Sequence, residues 1–305
     1  MAGDILRKSL LKFLYKCFPF DLKGDCNVPP SDEVIKISCL INFFGRLDLL
    51  SGILYSLAQQ EFPKDAFEVI LVEDRGGTDA GRELAEGFAD RLQIRYYPLD
   101  KNFGLMGYSR NYALSLSKGD YILFLDDDTV IIQKDFLRVL LDKFTLTVEV
   151  DAIIPHGMAS YILIDVKYGY HAPYFMTSRC TAYRRQVLTE LGGFMNHFVG
   201  QEDVEFVVRF CMALKKNVKT PLLEYFHPPL LVPNFSKPKA VGFSFAGLRS
   251  RYPFVLWLLV IINCARYAPL YLLPVRRYRE MGRFGLGFLA GVVISLFKKE
   301  GFQYT

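Results

Sequence analysis

A chain of 305 residues can hold one large α/β domain with appendages and is long enough to bury a sizeable core. Its net charge of +5 is too mild to argue for nucleic acid, and no basic block interleaved with aromatics resembles an RNA- or DNA-reading surface. The hydrophobic share of 51% is high and uneven, with long apolar runs gathering beyond about residue 250.

The chain opens with Leu6, Leu10, Phe13, Leu14 and Cys17 at helical spacing and lysines opposite. That pattern predicts an amphipathic helix, lying on a membrane or packed on the main domain. No small-residue cleavage site follows an apolar core, so a signal peptide is not expected. A Pro-rich break at Cys26 to Asp32 then leads into alternating elements. Strands are expected at Val34 to Ile41, Phe67 to Val72, Leu92 to Tyr97 and Tyr121 to Leu125. Helices are expected at Leu47 to Gln59, Ala80 to Phe88, Gly107 to Leu116 and Lys134 to Phe144. Alternation of this kind implies a mostly parallel sheet with helices on both faces, and such sheets bind ligands beyond their C-terminal strand ends. Further strands are read at Ala152 to Pro155 and Tyr161 to Asp165, and helices at Arg185 to Leu191 and Glu202 to Met212. Pro228-Pro229 and the stretch Asn234 to Ala240 mark an exit from the domain.

Tyr252 to Ala265 and Phe284 to Phe297 are apolar runs shorter than the roughly 20 residues a spanning helix needs, and basic residues flank both. In-plane or re-entrant helices fit them best, with one tilted span from Pro253 to Leu273 as the alternative. The expected division is an amphipathic segment at 1–31, a catalytic domain at 32–232 and a membrane-associating helical segment at 233–305. The basic residues near both ends suit an anionic membrane surface, and an exposed apolar patch could also serve contacts between copies as a homo-oligomer. Six scattered cysteines without a CxxC pair read as reduced thiols in a cytosolic compartment. Together these place the chain in the cytoplasm, peripheral at the inner face of the membrane.

Both acidic clusters fall at strand ends. Asp126-Asp127-Asp128 would repel one another unless compensated, and a hard divalent cation, Mn²⁺ or Mg²⁺, relieves that repulsion through oxygen ligation. A solvated acidic turn is the plainer alternative. Asp74 ends an earlier strand and is followed by Gly76-Gly77-Thr78-Asp79; its carboxylate can accept the ring N–H of a nucleobase, or it is an ordinary turn residue. Arg110, beside Asn111 and after Asn102 and Gly104, either holds a diphosphate or locks an aspartate in place. Gly192-Gly193-Phe194 precedes Gly200-Gln201-Glu202-Asp203, where the acids either cap a helix or supply a general base at Asp203.

The order and spacing of these pieces resemble the inverting family 2 glycosyltransferases of the GT-A fold, a Rossmann-like α/β architecture. The resemblance runs from about residue 34 to 230. It implies a nucleotide-sugar donor bound by Asp74, Arg110, Asp126 and Asp127, with Asp128 and His227 toward the metal. It also implies Asp203 as catalytic base, Gly193 and Glu202 on the acceptor side, and a saccharide or lipid-linked acceptor. Two departures stand out: the first strand ends in Asn42-Phe43-Phe44-Gly45-Arg46 rather than a P-T-Y-N-like turn, and the Q-x-x-R-W mark of processive synthases is absent, which favours single-sugar transfer. A sugar-nucleotidyltransferase, with Gly45-Arg46 as a thin phosphate loop, and an inactive membrane-bound scaffold of the same fold are the rival readings.

Overall fold

Successive side chains along a strand point to opposite faces, so a strand buried on both sides must be apolar throughout. β1 (Ile37–Phe43) and β2 (Phe67–Glu73) come close to that condition, with every residue buried and only Ser38, Asn42, Glu68 and Glu73 polar. A computed structural model of the chain describes residues 2–32, 34–159, 174, 176–228, 232 and 234–297. In it Ile37, Cys39, Ile41 and Phe43 enter one core with α2 (Leu47–Ala58), α3 (Asp79–Glu86) and α5 (Phe136–Leu146). Leu40, Ile70, Val72, Ile122 and Phe124 enter a second core with α4 (Met106–Leu116), α6 (Arg185–Glu190) and α7 (Glu202–Met212). Helices therefore cover both faces.

With β3 (Ile94–Pro98), β4 (Tyr121–Asp126), β5 (Ala152–Ala159), β6 (Cys180–Arg184) and β7 (Asn217–His227), the sheet has seven strands in the order β3-β2-β1-β4-β6-β5-β7. β1 to β4 pair in parallel, whereas β6 runs antiparallel between β4 and β5. The register sets Asn42 opposite both Val72 and Asp126, so the ends of three parallel strands lie in one row. That row is where the site is built.

Neither β6 nor β7 was expected from the sequence. β6 is five residues long and passes directly into α6. β7 contains Pro221, which lacks the N–H a regular ladder needs, and the pairing with β5 shifts register between Pro155 and His156 to accommodate it. The strand expected at Tyr161 to Asp165 lies outside the described residues.

The stretch Asn234 to Ala240 is not merely an exit. It enters α8 (Ser236–Gly247), which packs with α9 (Phe254–Ala265) and α10 (Arg276–Phe297) into a third core around Phe245, Trp257 and Phe288. α8 and α10 approach closely enough that a Cβ on Gly242 would lie 2.0 Å from the Phe288 carbonyl oxygen. The last helix runs for 22 residues rather than the expected 14 or so, because its arginine-rich first turns remain helical. α1 (Ala2–Cys17) joins this core through Leu14, with Leu11 and Tyr15 against it, while Leu10 and Phe13 face outward.

Arg209 ties these parts together. Its fully buried guanidinium bonds both oxygens of Glu205, at 2.6 and 2.8 Å, and the carbonyls of Leu22, Leu191 and Gly193. Tyr252 donates to the same Glu205 at 2.6 Å. Substituting Arg209→Met leaves that carboxylate buried without its cation, and urea denaturation should show a loss of about 3–5 kcal/mol.

Candidate active site

The aspartate turn leaves the end of β4. Thr129 N–H closes it onto the Asp126 carbonyl at 3.1 Å, and the Thr129 hydroxyl donates to the Arg179 carbonyl at 2.7 Å. Two bonds of 2.8 Å between Val130 and Phe226 then pin the exit of the turn to the end of β7. The residue after Phe226 is His227, whose Nε2 lies 2.9 Å from Asp128 Oδ1 and 3.5 Å from Asp126 Oδ2. Ligand atoms of Asp126, Asp128 and His227 all fall within 4.8 Å of one another. Two carboxylates and an imidazole suit Mn²⁺ or Mg²⁺ chemistry.

Charge is distributed unequally over the three aspartates. Burial acts to raise Asp126 and Asp128, but bonds to His227 more than offset it, with Arg110 adding to the effect at Asp126, so both are held below the ordinary carboxylate range. Asp127 points elsewhere: burial pushes it up to about 7, against the pull of Arg46. Burial would lower His227, yet its bonds to Asp126 and Asp128 hold it above the usual 6.5.

Arg110, on α4, reaches across the site. Its Nη2 donates to Asp126 Oδ1 at 2.8 Å and its Nε to Glu202 Oε1 at 2.6 Å. Both Arg110 and Glu202 are buried, and burial pushes the Glu202 carboxyl up to about 7 while Arg110 pulls it back. Of the two readings left open for Arg110, the geometry gives the aspartate lock, with only Nη1 left without a partner. Asn111 faces the other way, bonding the Phe194 backbone through both its carbonyl oxygen (2.8 Å) and its amide (2.7 Å).

Asp203 sits on the first turn of α7, after Gln201 in a left-handed conformation. Its Oδ2 accepts from the Thr177 hydroxyl at 2.7 Å and Ser178 N–H at 3.1 Å. The same lead-in to β6 carries Arg179, whose carbonyl accepts from the aspartate turn. Residues 177–179 thus join the Asp203 end of the site to the Asp126 end.

A cleft of about 610 Å³ contains Asp74, Arg110, Asp126, Asp127, Glu202 and Asp203 in its lining. Asp74 Oδ2 accepts the Gly104 N–H at 2.8 Å, which closes one loop over another at the cleft edge. Its neighbour Glu73 is turned inward, bonded by Thr78 and by Tyr96, and serves the fold. Gly193 does not line the cleft. It has φ +59, and a Cβ there would lie 2.6 Å from Asn111 Oδ1, so it shapes the turn that Asn111 grips. Asp128 and His227 stand beside the lining, at the aspartate turn.

Several lining residues were missed. Arg46 was read only as part of a thin phosphate loop, yet it pairs with Asp127 and, at 2.9 Å, with Asp128. Its position just beyond the end of a parallel strand was the available signal. Phe44 carries the Arg75 guanidinium 4.6 Å from its ring centre, and both line the cleft. Lys237, Pro238 and Val241 of α8 and Phe284 of α10 form another wall, so the C-terminal helices belong to the site.

The family model of Glycosyl transferase family 2 matches residues 38–215, more than half of the chain. The chain belongs to that family. The fold is GT-A. Among curated relatives, this glycosyltransferase is 34% identical over 98 residues to the poly(ribitol-phosphate) beta-N-acetylglucosaminyltransferase TarS of Staphylococcus aureus, covering 32% of the chain and 17% of the relative. It is 26% identical over 212 residues to the cholesterol galactosyltransferase of Borreliella burgdorferi, covering 68% and 57%. The matched stretch thus spans well under two thirds of either relative. Among solved structures, S. aureus TarS 1-349 in complex with UDP-GlcNAc superposes with a TM-score of 0.57 at 20% identity, over 84% of this chain and 72% of that one. The mannosyltransferase PcManGT from Pyrobaculum calidifontis, in complex with GDP-Man and Mn²⁺, gives 0.57 at 16% identity, over 98% and 97%.

The elevated His227 has a consequence for stability. A group whose folded pKa is raised contributes stability that is fully present below its unfolded value, about 6.5, and is lost as pH climbs through the folded value. In EDTA, the melting temperature of the wild type should therefore fall relative to that of His227→Gln as pH rises above about 6.5. Parallel profiles for the two proteins would show that His227 is not a charged partner of the aspartates.

Proposed function

We propose that this glycosyltransferase moves a single sugar, with inversion, from a nucleotide-sugar donor to the hydroxyl of a saccharide or lipid-linked acceptor. The observation that carries the reading is the convergence of unsatisfied polar atoms on one cleft. Among the described residues, a few buried side-chain atoms lack a hydrogen-bond partner. Asn42 Oδ1, Arg110 Nη1 and Asp127 Oδ2 belong to lining residues, and Ser178 Oγ lies between the lining residues Thr177 and Arg179. Buried polar groups are normally paired, so a cluster of exceptions at a cavity marks a site whose partner is a ligand.

In this reading Asp74 accepts from the nucleobase, and Asp126 and Asp127 face the nucleotide. Asp128 and His227 hold Mn²⁺ or Mg²⁺, with Asp126 beside them. The bound cation supplies positive charge to the departing diphosphate. Thr177 and Ser178 fix the Asp203 carboxylate so that it can accept a proton from the acceptor hydroxyl. As that proton passes to Asp203, the acceptor oxygen bonds to the anomeric carbon. The bond from that carbon to the diphosphate oxygen breaks, and the nucleoside diphosphate departs with the electron pair. Glu202 and Arg110 keep the two ends of the cleft in register.

The C-terminal helices support acceptor delivery at a membrane surface. Two stretches, Phe254–Leu272 and Tyr278–Phe297, have mean hydropathies of 1.6 and 1.4, and only 22% and 39% of them are buried within the protein. Phe254, Val255, Leu258 and Ile262 are exposed at helical spacing on α9. Because α10 packs along α8, an in-plane arrangement at the inner face of the membrane suits them better than two spans. A role in envelope polysaccharide synthesis would suit such an acceptor and agrees with the poly(ribitol-phosphate) named for the S. aureus relative.

Asp203→Asn should lower turnover by about 10²–10⁴-fold while largely keeping donor affinity. Release of UDP, GDP or dTDP from a panel of sugar nucleotides, with Mn²⁺, measures it; near-normal turnover in the variant removes Asp203 as the base. For the membrane role, Leu258→Asp with Ile262→Asp should cut flotation with anionic vesicles while leaving the fold intact. Undiminished flotation assigns that face to something else.

A further inference from the structure

The loop after β1 holds two consecutive left-handed residues, Gly45 at φ 61 and Arg46 at φ 47. Glycine adopts that conformation without strain, whereas arginine is disfavoured there. The backbone there caps α2, the Arg46 carbonyl accepting from Leu49 N–H at 3.0 Å and Leu50 N–H at 3.1 Å, while the side chain reaches the aspartate turn. Nη1 of Arg46 lies 2.9 Å from Asp128 Oδ2, and Nη2 bonds Asp127 Oδ1. Among the described residues the guanidinium has no other hydrogen-bonding partner, and about half of the side chain is exposed. The side chain is therefore held at its tip alone, and a change of rotamer can re-aim it from a fixed backbone.

Asp128 is consequently shared. One oxygen faces His227 and the other faces Arg46. A divalent cation held by Asp126, Asp128 and His227 would bring a second positive charge beside the guanidinium. Both cations answer the same need, the mutual repulsion of three successive carboxylates. A diphosphate arriving at the cleft offers Arg46 a forked anionic partner in place of the aspartates.

We propose that Arg46 is the resident counter-ion of the aspartate turn, competing with the divalent cation for Asp128 and moving onto the diphosphate when the donor binds. Metal and donor then bind with positive coupling, since each removes the guanidinium from the other's path. This inference rests on reading the turn as a cation site.

The test is titration of the full-length protein with Mn²⁺ alone, followed by loss of the free-ion EPR signal, and a calorimetric titration with Mn²⁺ plus inorganic pyrophosphate. Arg46→Gln should bind Mn²⁺ alone about threefold to tenfold more tightly than the wild type, the scale expected for removing a half-exposed ion pair. The same variant should bind pyrophosphate with Mn²⁺ more weakly. Arg46→Lys should keep Mn²⁺ affinity near that of the wild type. Arg75→Gln removes a cleft cation that stacks on Phe44, and it should show no comparable gain. Equal or weaker Mn²⁺ binding in Arg46→Gln, with wild-type binding measurable and melting temperatures alike, overturns the counter-ion role and leaves the metal site standing. An equal gain in Arg75→Gln overturns it as well, reducing the effect to the general field of the cleft. Wild-type protein that binds no Mn²⁺ with or without pyrophosphate overturns the cation site, and this inference with it.

Discussion

Arg110 joins the two ends of the cleft, and most of the site geometry depends on that one guanidinium. It spans from Asp126, at the end of a parallel strand, to Glu202, at the start of a helix far later in the chain. A lysine could not serve both, because its ammonium is a single point whereas the guanidinium presents donors in a fixed fork. Burial makes the arrangement binding in both directions. Glu202 alone would be a carboxylate removed from water at high cost, and Arg110 alone an equally costly cation. Each is tolerable only with the other in place. The residues next to them in the chain, Asp127 and Asp203, inherit fixed positions as a result.

The second constraint is local and comes from the sheet. Parallel strands end in a common row, so residues just beyond β1, β2 and β4 meet in space although they lie far apart in the chain. Asp74, Arg46 and the aspartate turn follow directly from that rule. His227 arrives by a different route. The two-way bond between Val130 and Phe226 ties the outgoing end of the aspartate turn to the end of β7. Without that bridge the imidazole would have no reason to stand beside Asp128.

This difference explains what the sequence disclosed. Apolar runs such as Tyr121 to Leu125, ending in acids, carry both a strand and a location, because burial on two faces leaves little freedom of composition. The Asp126–Asp128 and Glu202–Asp203 groups and Arg110 were therefore readable as neighbours at one cleft. β7 was not, since Pro221 and its register shift break the alternation by which a strand is recognised. Arg46 was also hidden, because no composition signal distinguishes a loop arginine facing a carboxylate from one facing water. Gly193 shows the opposite error. The family resemblance implied a place for it on the acceptor side, but its left-handed backbone and the contact with Asn111 give it a scaffolding task.

The C-terminal helices illustrate how one segment can serve two physical ends. Hydropathy alone suggests a detachable membrane anchor, and the sequence division at residue 233 treats it that way. Yet Lys237, Pro238 and Val241 face the cleft from α8, and Phe284 reaches it from α10. Gly242 and Phe288 hold those two helices at backbone contact, so α10 cannot shift without carrying α8 along. Deleting the tail would open the cleft as well as remove the exposed apolar face. Loss of activity on truncation would then say nothing about membranes. Only substitutions on the outward face of α9, distant in contact from the cleft wall, separate the two roles. The same packing means that a surface pressing on α10 bears on a helix that also lines the site, and an acceptor presented there would meet the cleft from the side that α8 and α10 form.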